Sequence, residues 1–171
     1  MTGRKIGVYG MGEIGRKIAA RCAAFESDVA YHSRSRHDVP YAYHDSLSSL
    51  AEWADILMIA VRAGADTRHI INADILKKLG PQGTVVNISR GSVIDLAALV
   101  AALEGNVIAG AGLDVYEREP HAPDALTKLA NVVLTPHISG HTIEAHAAMQ
   151  DCVLANLDAF FAGKLLRYPV K

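Results

Sequence analysis

Gly10, Gly12 and Gly15 follow the short apolar run Lys5 to Tyr9 and open a segment with helical periodicity. In that setting the Gly-x-Gly-x-x-Gly spacing suits a dinucleotide pyrophosphate. The first glycine permits a tight turn, the second lets the backbone approach the phosphates, and the third lets the helix pack closely on the strand. The helix start then aims free N–H groups and the positive end of its dipole at the anion. Glycine triplets also occur by chance in loops, so it is the strand before and the amphipathic helix after that favour a binding site. About twenty residues further on, an NAD-selective site usually carries Asp or Glu for the ribose hydroxyls. This chain has Ser33 and then Arg34 there, with Arg36 close behind. A carboxylate would repel a 2′-phosphate, whereas a hydroxyl beside a guanidinium fork would hold it. NADP(H) is therefore the expected cofactor, with NAD(H) possible; the alternative is a solvated basic turn.

Other residues could serve hydride transfer to a ketone. That reaction needs the carbonyl and its neighbouring carboxylate held, a proton supplied, and the charge on the proton donor supported. Arg90 follows a predicted strand and suits a bidentate grip on an α-keto acid. From position alone it could equally be a surface Arg capping the next helix. His137, after Pro136 and the last predicted strand, can donate a proton near neutral pH, but is one of eight histidines and could be a hydrogen-bonded loop residue. Glu119, in Tyr116-Glu-Arg-Glu-Pro120, could hydrogen-bond that imidazole or be one of several solvated acids.

The elements that must position these residues alternate. Strands are expected at Lys5 to Tyr9, Asp28 to Ser33, Ile56 to Val61, Thr84 to Ile88, Ile108 to Leu113 and Asn131 to Leu134. The continuous apolar run from Ile56 predicts a strand covered on both faces. Helices are expected after Gly15, near Leu47 to Trp53, from the cap Asn72 to Leu79, from the cap Asp95 to Leu103, and from Thr142 to Ala162. In the last, Met149, Val153, Leu157 and Phe160 mark an inward face. The stretch around Pro40 and the segment Asp114 to Ala125 read as loops. This alternation predicts an α/β fold, a doubly wound parallel sheet of Rossmann type, with its ligand crevice beyond the carboxyl ends of the strands. Gly10 to Gly15, Ser33-Arg34, Arg62, Ser89-Arg90, Asp114 and Pro136-His137 all fall on that rim.

The 171 residues suffice for one domain with an apolar core, half of them hydrophobic and a fifth charged. The net charge of −1, with no basic run, points away from nucleic acid and membrane surfaces. Apolar stretches are short and interrupted, so no spanning helix is expected. The start, Met-Thr-Gly-Arg-Lys, leaves no room for a signal peptide. Cys22 and Cys152 read as buried apolar residues in a reducing cytoplasm, the expected compartment.

Four blocks, Gly10 to Gly15, Asn87 to Asp95, Gly112 to Pro120 and Thr135 to Gly140, closely resemble the D-isomer-specific 2-hydroxyacid dehydrogenase family in order and spacing. The resemblance implies that Arg90 binds substrate, Glu119 supports the histidine, and His137 donates and accepts the proton. It implies cofactor contacts from Gly10, Gly12, Gly15, Glu13, Ile14, Ser33, Arg34, Val61, Thr67, Ile88, Ser89 and Arg90. Asp114 would hold the nicotinamide carboxamide, and His137, Ser139 and Gly140 would border the nicotinamide. Ser33-Arg34 looks like the family's NADPH-preferring glyoxylate and hydroxypyruvate reductases, whereas formate dehydrogenases carry Gln in place of Glu119. The implied substrate is a small 2-keto or 2-hydroxy acid, and the implied assembly a homodimer through this domain. Family members carry a substrate lobe ahead of the glycine motif, supplying carboxylate donors and closing the cleft against water. This chain begins just before that motif. It therefore resembles the cofactor domain alone, spanning 1–171 with the C-terminal helix, and is expected to bind cofactor with little or no turnover.

A dinucleotide-sensing interaction protein is a second possibility, because related corepressors bind NAD(H) and keep similar residues. The absence of Asp at position 33 counts against it. A zinc site through His137 and His141 is weaker still: Pro136 and Gly140 favour a loop, and no cysteine lies nearby in sequence.

Overall fold

The computed structural model describes residues 1–169, and the chain divides into two compact units, Met1–His137 and Ile138–Lys171. In the first, β1 (Lys5–Tyr9), β2 (Asp28–His32), β3 (Ala42–Tyr43), β4 (Ile56–Ile59), β5 (Thr84–Asn87), β6 (Gly110–Leu113) and β7 (Val132–Leu134) form one sheet. Every neighbouring pair is parallel, in the order β3-β2-β1-β4-β5-β6-β7. The chain winds outward from β1 to β3, then returns to lay β4 on the other side of β1. The switch point between β1 and β4 is where such sheets open a crevice at their carboxyl ends.

Helices α1 (Glu13–Ala24), α2 (Leu47–Trp53), α3 (Ala73–Leu79), α4 (Leu96–Glu104) and α5 (Asp124–Thr127) complete this unit. β1 shows why they lie where they do. Its alternate side chains Ile6 and Val8 enter one cluster with Ala19 and Cys22 of α1, while Tyr9 belongs to a larger cluster with Leu50, Leu57, Ile59, Leu76, Val85, Leu99 and Leu103. Each large aliphatic side chain so buried contributes about 1.5–3 kcal/mol. A Cβ on Gly7 would lie 2.9 Å from the Ala54 Cβ, so the absence of a side chain lets α2 close onto the sheet. Ser46, Asn72 and Asp95 cap α2, α3 and α4, each accepting a backbone N–H at 3.1 Å, worth about 1 kcal/mol apiece.

Several expectations change. The loop around Pro40 contains β3, held by Ala30 and Tyr31 of β2; two residues are too few to show a period. The Asp114–Ala125 loop runs into α5. β4 is fully buried on one face only: Leu57 and Ile59 are inaccessible, whereas Ile56 and Met58 are half-buried. Cys22 is buried, and that burial pushes its thiol pKa up, as befits an inert packing residue; Cys152 is half-buried, not buried.

The second unit is built on α6 (Ile143–Phe161), capped by Thr142, whose Oγ1 accepts the Ala145 N–H at 3.1 Å. Its tail is tied back by two hydrogen bonds between Asn156 and the Tyr168 backbone, at 2.8 and 2.9 Å. The stripe Met149, Val153, Leu157 and Phe160, expected to face inward, is exposed. One helix and a short tail offer that stripe no second apolar layer within their own unit. Among the described residues no helix is long and apolar enough to cross a membrane.

Candidate active site

The loop after β1 is shaped by contacts only glycine allows. Gly10 has φ +99°, and a Cβ there would lie 2.7 Å from the Ala60 carbonyl oxygen. Its N–H donates to the His32 carbonyl (2.8 Å), while the Ala60 N–H donates to the Tyr9 carbonyl (2.8 Å), fixing the loop between the ends of β2 and β4. A Cβ on Gly15 would fall 1.9 Å from the Gly10 carbonyl oxygen, so α1 lies directly against the turn. Gly12 is the N-cap of α1, provides no side-chain cap, and faces open space. The first N–H groups of α1 are thus left for an anion.

A cleft of about 470 Å³ lies beyond this turn, lined by Gly10, Gly12, Ser33, Arg34, Val61 and Thr67 among others. A second hollow of about 290 Å³ shares the Ala60–Ala63 wall and is lined by Ile14, Ile88, Ser89 and Arg90. Volumes of this size suit a cofactor. The Thr67 hydroxyl shapes the shared rim: it accepts the Gly64 N–H at 2.9 Å and donates toward the Arg62 and Gly64 carbonyls, both at 3.2 Å. At the β2 end the Ser33 hydroxyl donates to the Ser35 carbonyl at 2.6 Å. Arg34 is exposed and makes no hydrogen bond or ion pair among the described residues. Uncapped helix amides and an unpaired guanidinium form a donor set able to hold phosphate groups.

Arg90, Asp114, Glu119 and His137 follow the ends of β5, β6 and β7. Asn87, nearly inaccessible, accepts the Ser89 N–H and donates to the Arg90 carbonyl, both at 2.9 Å, so it shapes the turn that presents Arg90. The Ser89 hydroxyl donates to the Val61 carbonyl, joining the two cavity walls. A Cβ on Gly91 would lie 2.0 Å from the Tyr116 carbonyl carbon, so the 114–119 loop passes directly over the residue after Arg90. The Tyr116 hydroxyl reaches the Thr135 carbonyl at 2.9 Å, tying that loop to the turn bearing His137. Burial and then the nearby Asp114 charge push the Tyr116 pKa up, keeping it the protonated donor.

In that frame Glu119 Oε2 lies 2.8 Å from His137 Nδ1, and Glu119 Oε1 accepts the Tyr116 N–H at 3.1 Å. The hydrogen bond from His137 holds the Glu119 carboxyl below the usual range, assisted by the Tyr116 N–H and the charges of His137 and Arg90. An ionised carboxylate only accepts, so Nδ1 carries a proton and Nε2 is the nitrogen left for chemistry. His137 sits at φ +56°, a sparsely populated region for a side chain this large.

The structure thus joins Glu119 to His137 directly and brings Arg90 within electrostatic reach of them. Asp114 is buried, with the Thr135 hydroxyl 2.5 Å from its Oδ1. Glu13 is exposed in the first turn of α1 and lies in neither cavity lining. Ser139 and Gly140 belong to the second unit, where both are exposed. Asn87, Tyr116 and Thr135 were not singled out from sequence; a polar Asn inside the apolar run Thr84 to Ile88 was the available signal.

The family described as D-isomer specific 2-hydroxyacid dehydrogenase, NAD binding domain, matches residues 1–139. The chain is 44% identical over 170 residues to a hydroxyphenylpyruvate reductase from Plectranthus scutellarioides, covering 99% of this chain and 54% of that protein. It is 42% identical to a glyoxylate/hydroxypyruvate reductase A from Arabidopsis thaliana, with the same two coverages. An NADPH-dependent glyoxylate/hydroxypyruvate reductase from Sinorhizobium meliloti, solved in complex with NADP and malonate, superposes with a TM-score of 0.94 at 44% identity, over 98% of this chain and 53% of that one. The chain spans about half the length of the curated relatives it matches. With a family match over most of its length and reductases aligned along nearly all of it, the chain belongs to the D-isomer specific 2-hydroxyacid dehydrogenase family, of which it carries the NAD-binding domain.

Proposed function

We propose that this chain is the cofactor-binding part of an NADP(H)-dependent 2-hydroxyacid dehydrogenase that reduces a small 2-keto acid of the glyoxylate or hydroxypyruvate kind. The observation that carries the reading is the Glu119–His137 pair at 2.8 Å, built on the same strand-end rim as the glycine turn. A reduced nicotinamide bound at this rim would supply the hydride. Arg90 binds the substrate carboxylate and orients the neighbouring carbonyl. His137 gives the carbonyl oxygen its proton from Nε2, and Glu119 holds the ring in the required tautomer and supports its positive charge. Asp114 orients the carboxamide end. Gly10, Gly12, Gly15 and the first amides of α1 seat the pyrophosphate, Glu13 and Ile14 acting there through backbone N–H groups. Ser33 and Arg34 select the 2′-phosphate, Val61 and Thr67 flank the ribose, and Ile88 and Ser89 line the nicotinamide side.

Calorimetric titration with NADPH and NADH tests the cofactor half. NADPH binds more tightly, and Arg34→Ala weakens NADPH by about 10- to 100-fold, as expected for a lost charge-assisted hydrogen bond, while leaving NADH unchanged. Equal affinities in the unaltered chain refute the preference. The chemical half predicts that the 171-residue polypeptide binds cofactor and reduces glyoxylate little or not at all, and that two copies pair through this domain. Robust turnover by this polypeptide, or a monomer in sedimentation at micromolar concentration, counts against those parts.

A further inference from the structure

Glu117 has no part in the chemistry above, yet it is the residue by which the Glu119 loop is gripped from outside. Its Oε1 lies 2.7 Å from an Arg68 Nη2 and 3.4 Å from His69 Nε2. That His69 nitrogen is fully enclosed and has no hydrogen-bond partner, so the Glu117 carboxylate is the group that answers it. His69 is itself fixed: it sits at φ +51°, and its N–H donates to the Ser92 carbonyl at 2.8 Å. The next bond along, from the Ile71 N–H to the Val93 carbonyl at 3.1 Å, sews this segment to the one that follows Arg90. Arg68 and His69 come directly after the short 3₁₀ turn Ala65–Thr67, whose residues line the larger cleft. On the other side, Glu117 lies between Tyr116, which anchors to Thr135, and Glu119, which holds His137.

We propose that Glu117 is a positioning residue: gripped by Arg68 and His69, it fixes the loop from which Glu119 holds His137 and joins that loop to the wall of the cofactor cleft. The proposal rests on the reading of Glu119 and His137 as the proton-handling pair. Its logic is geometric. The side chains of residues 117 and 119 leave the same short loop, the first toward the cleft wall and the second toward the imidazole. Releasing the first loosens the second.

The test follows the Glu119 carboxyl by carbon-detected NMR titration in the 171-residue chain, without cofactor or substrate. Its midpoint in the unaltered chain lies below the usual value because of the hydrogen bonds from His137 and Tyr116. Glu117→Gln changes two things of opposite sign. Removing a neighbouring negative charge would lower the Glu119 midpoint further, whereas a loosened loop weakens those hydrogen bonds and raises it. We expect a rise of about half a pH unit. Glu117→Asp keeps the charge and withdraws the carboxylate by one methylene, so a smaller rise is expected there from geometry alone. If the Gln variant fails to fold, the Asp variant decides: a rise supports the proposal and an unchanged midpoint overturns it. A folded Gln variant whose midpoint stays or falls overturns it as well. Because no dinucleotide is present, this outcome is independent of the cofactor reading, which fails separately if the unaltered chain binds neither NADPH nor NADH.

Discussion

Paired substitutions in the glycine turn separate a cofactor cradle from a merely well-packed loop. Gly12 has an extended conformation any residue adopts, and a Cβ there meets nothing within 4 Å. Gly12→Ala therefore costs the fold only the weaker capping of Ala relative to Gly, about 0.5–1 kcal/mol, or roughly 1–4 °C in Tm for a chain of this size. The added methyl points into space a pyrophosphate would occupy, and overpacking of about 1–3 kcal/mol there weakens NADPH by about 5- to 150-fold. Gly15→Ala behaves differently. Its Cβ would stand 1.9 Å from the Gly10 carbonyl oxygen, so strand turn and helix must part by about 1.5 Å to reach ordinary contact. That costs about 1–3 kcal/mol, offset by up to about 1 kcal/mol from the better helix propensity of Ala. The net loss reaches about 2 kcal/mol, or roughly 4–8 °C, and affinity falls as well because Gly10 moves. Thermal melts with nucleotide-binding titrations on both variants measure the two effects. A Gly12→Ala variant that binds NADPH as the unaltered chain does would refute the placement of the phosphates at this turn.

Acid should expose the Glu119–His137 pair. The Glu119 carboxyl titrates below its ordinary 4.5 in the folded chain, so its contribution to stability is present above that value and disappears as pH falls through the folded value. Melting temperatures of the unaltered chain and Glu119→Gln should therefore converge as pH falls below 4.5; a constant gap contradicts the assignment. Asp95 accepts the Ala98 N–H and starts α4 away from the cofactor cleft. Asp95→Ala should lower Tm by about 2–4 °C, the loss of one cap, with NADPH affinity unchanged, and Asp95→Asn should restore most of it.

Much of the architecture was legible because it depends on local order along the chain. The short apolar runs, the helical patterns and the caps at Asn72 and Asp95 each act within a few residues, and they located six of the seven strands and the helices α1 to α4 and α6. The glycine turn was readable because its spacing is local, set between β1 and α1, although the group that crowds Gly10 is the Ala60 carbonyl just after β4. β3 escaped because its two residues are held by β2 and not by any pattern of their own. The stripe on α6 was assigned inward because periodicity shows that a helix has an apolar side but not what lies against it.

The candidate site divides along the same line. Residue types nominated Arg90, Glu119 and His137, but each kept an ordinary alternative as long as it was considered alone. Folding adds to this by bringing Glu119 and His137, eighteen residues apart, to 2.8 Å. The means are long-range: Gly91 admits the Tyr116 backbone, the Tyr116 hydroxyl reaches Thr135, and Arg68 meets Glu117 across 49 residues. No window along the chain contains those pairs. Their geometry arises only when the parallel sheet stacks its strand ends on one rim, because hydrogen bonds and close contacts depend on distance in space and not on separation in sequence.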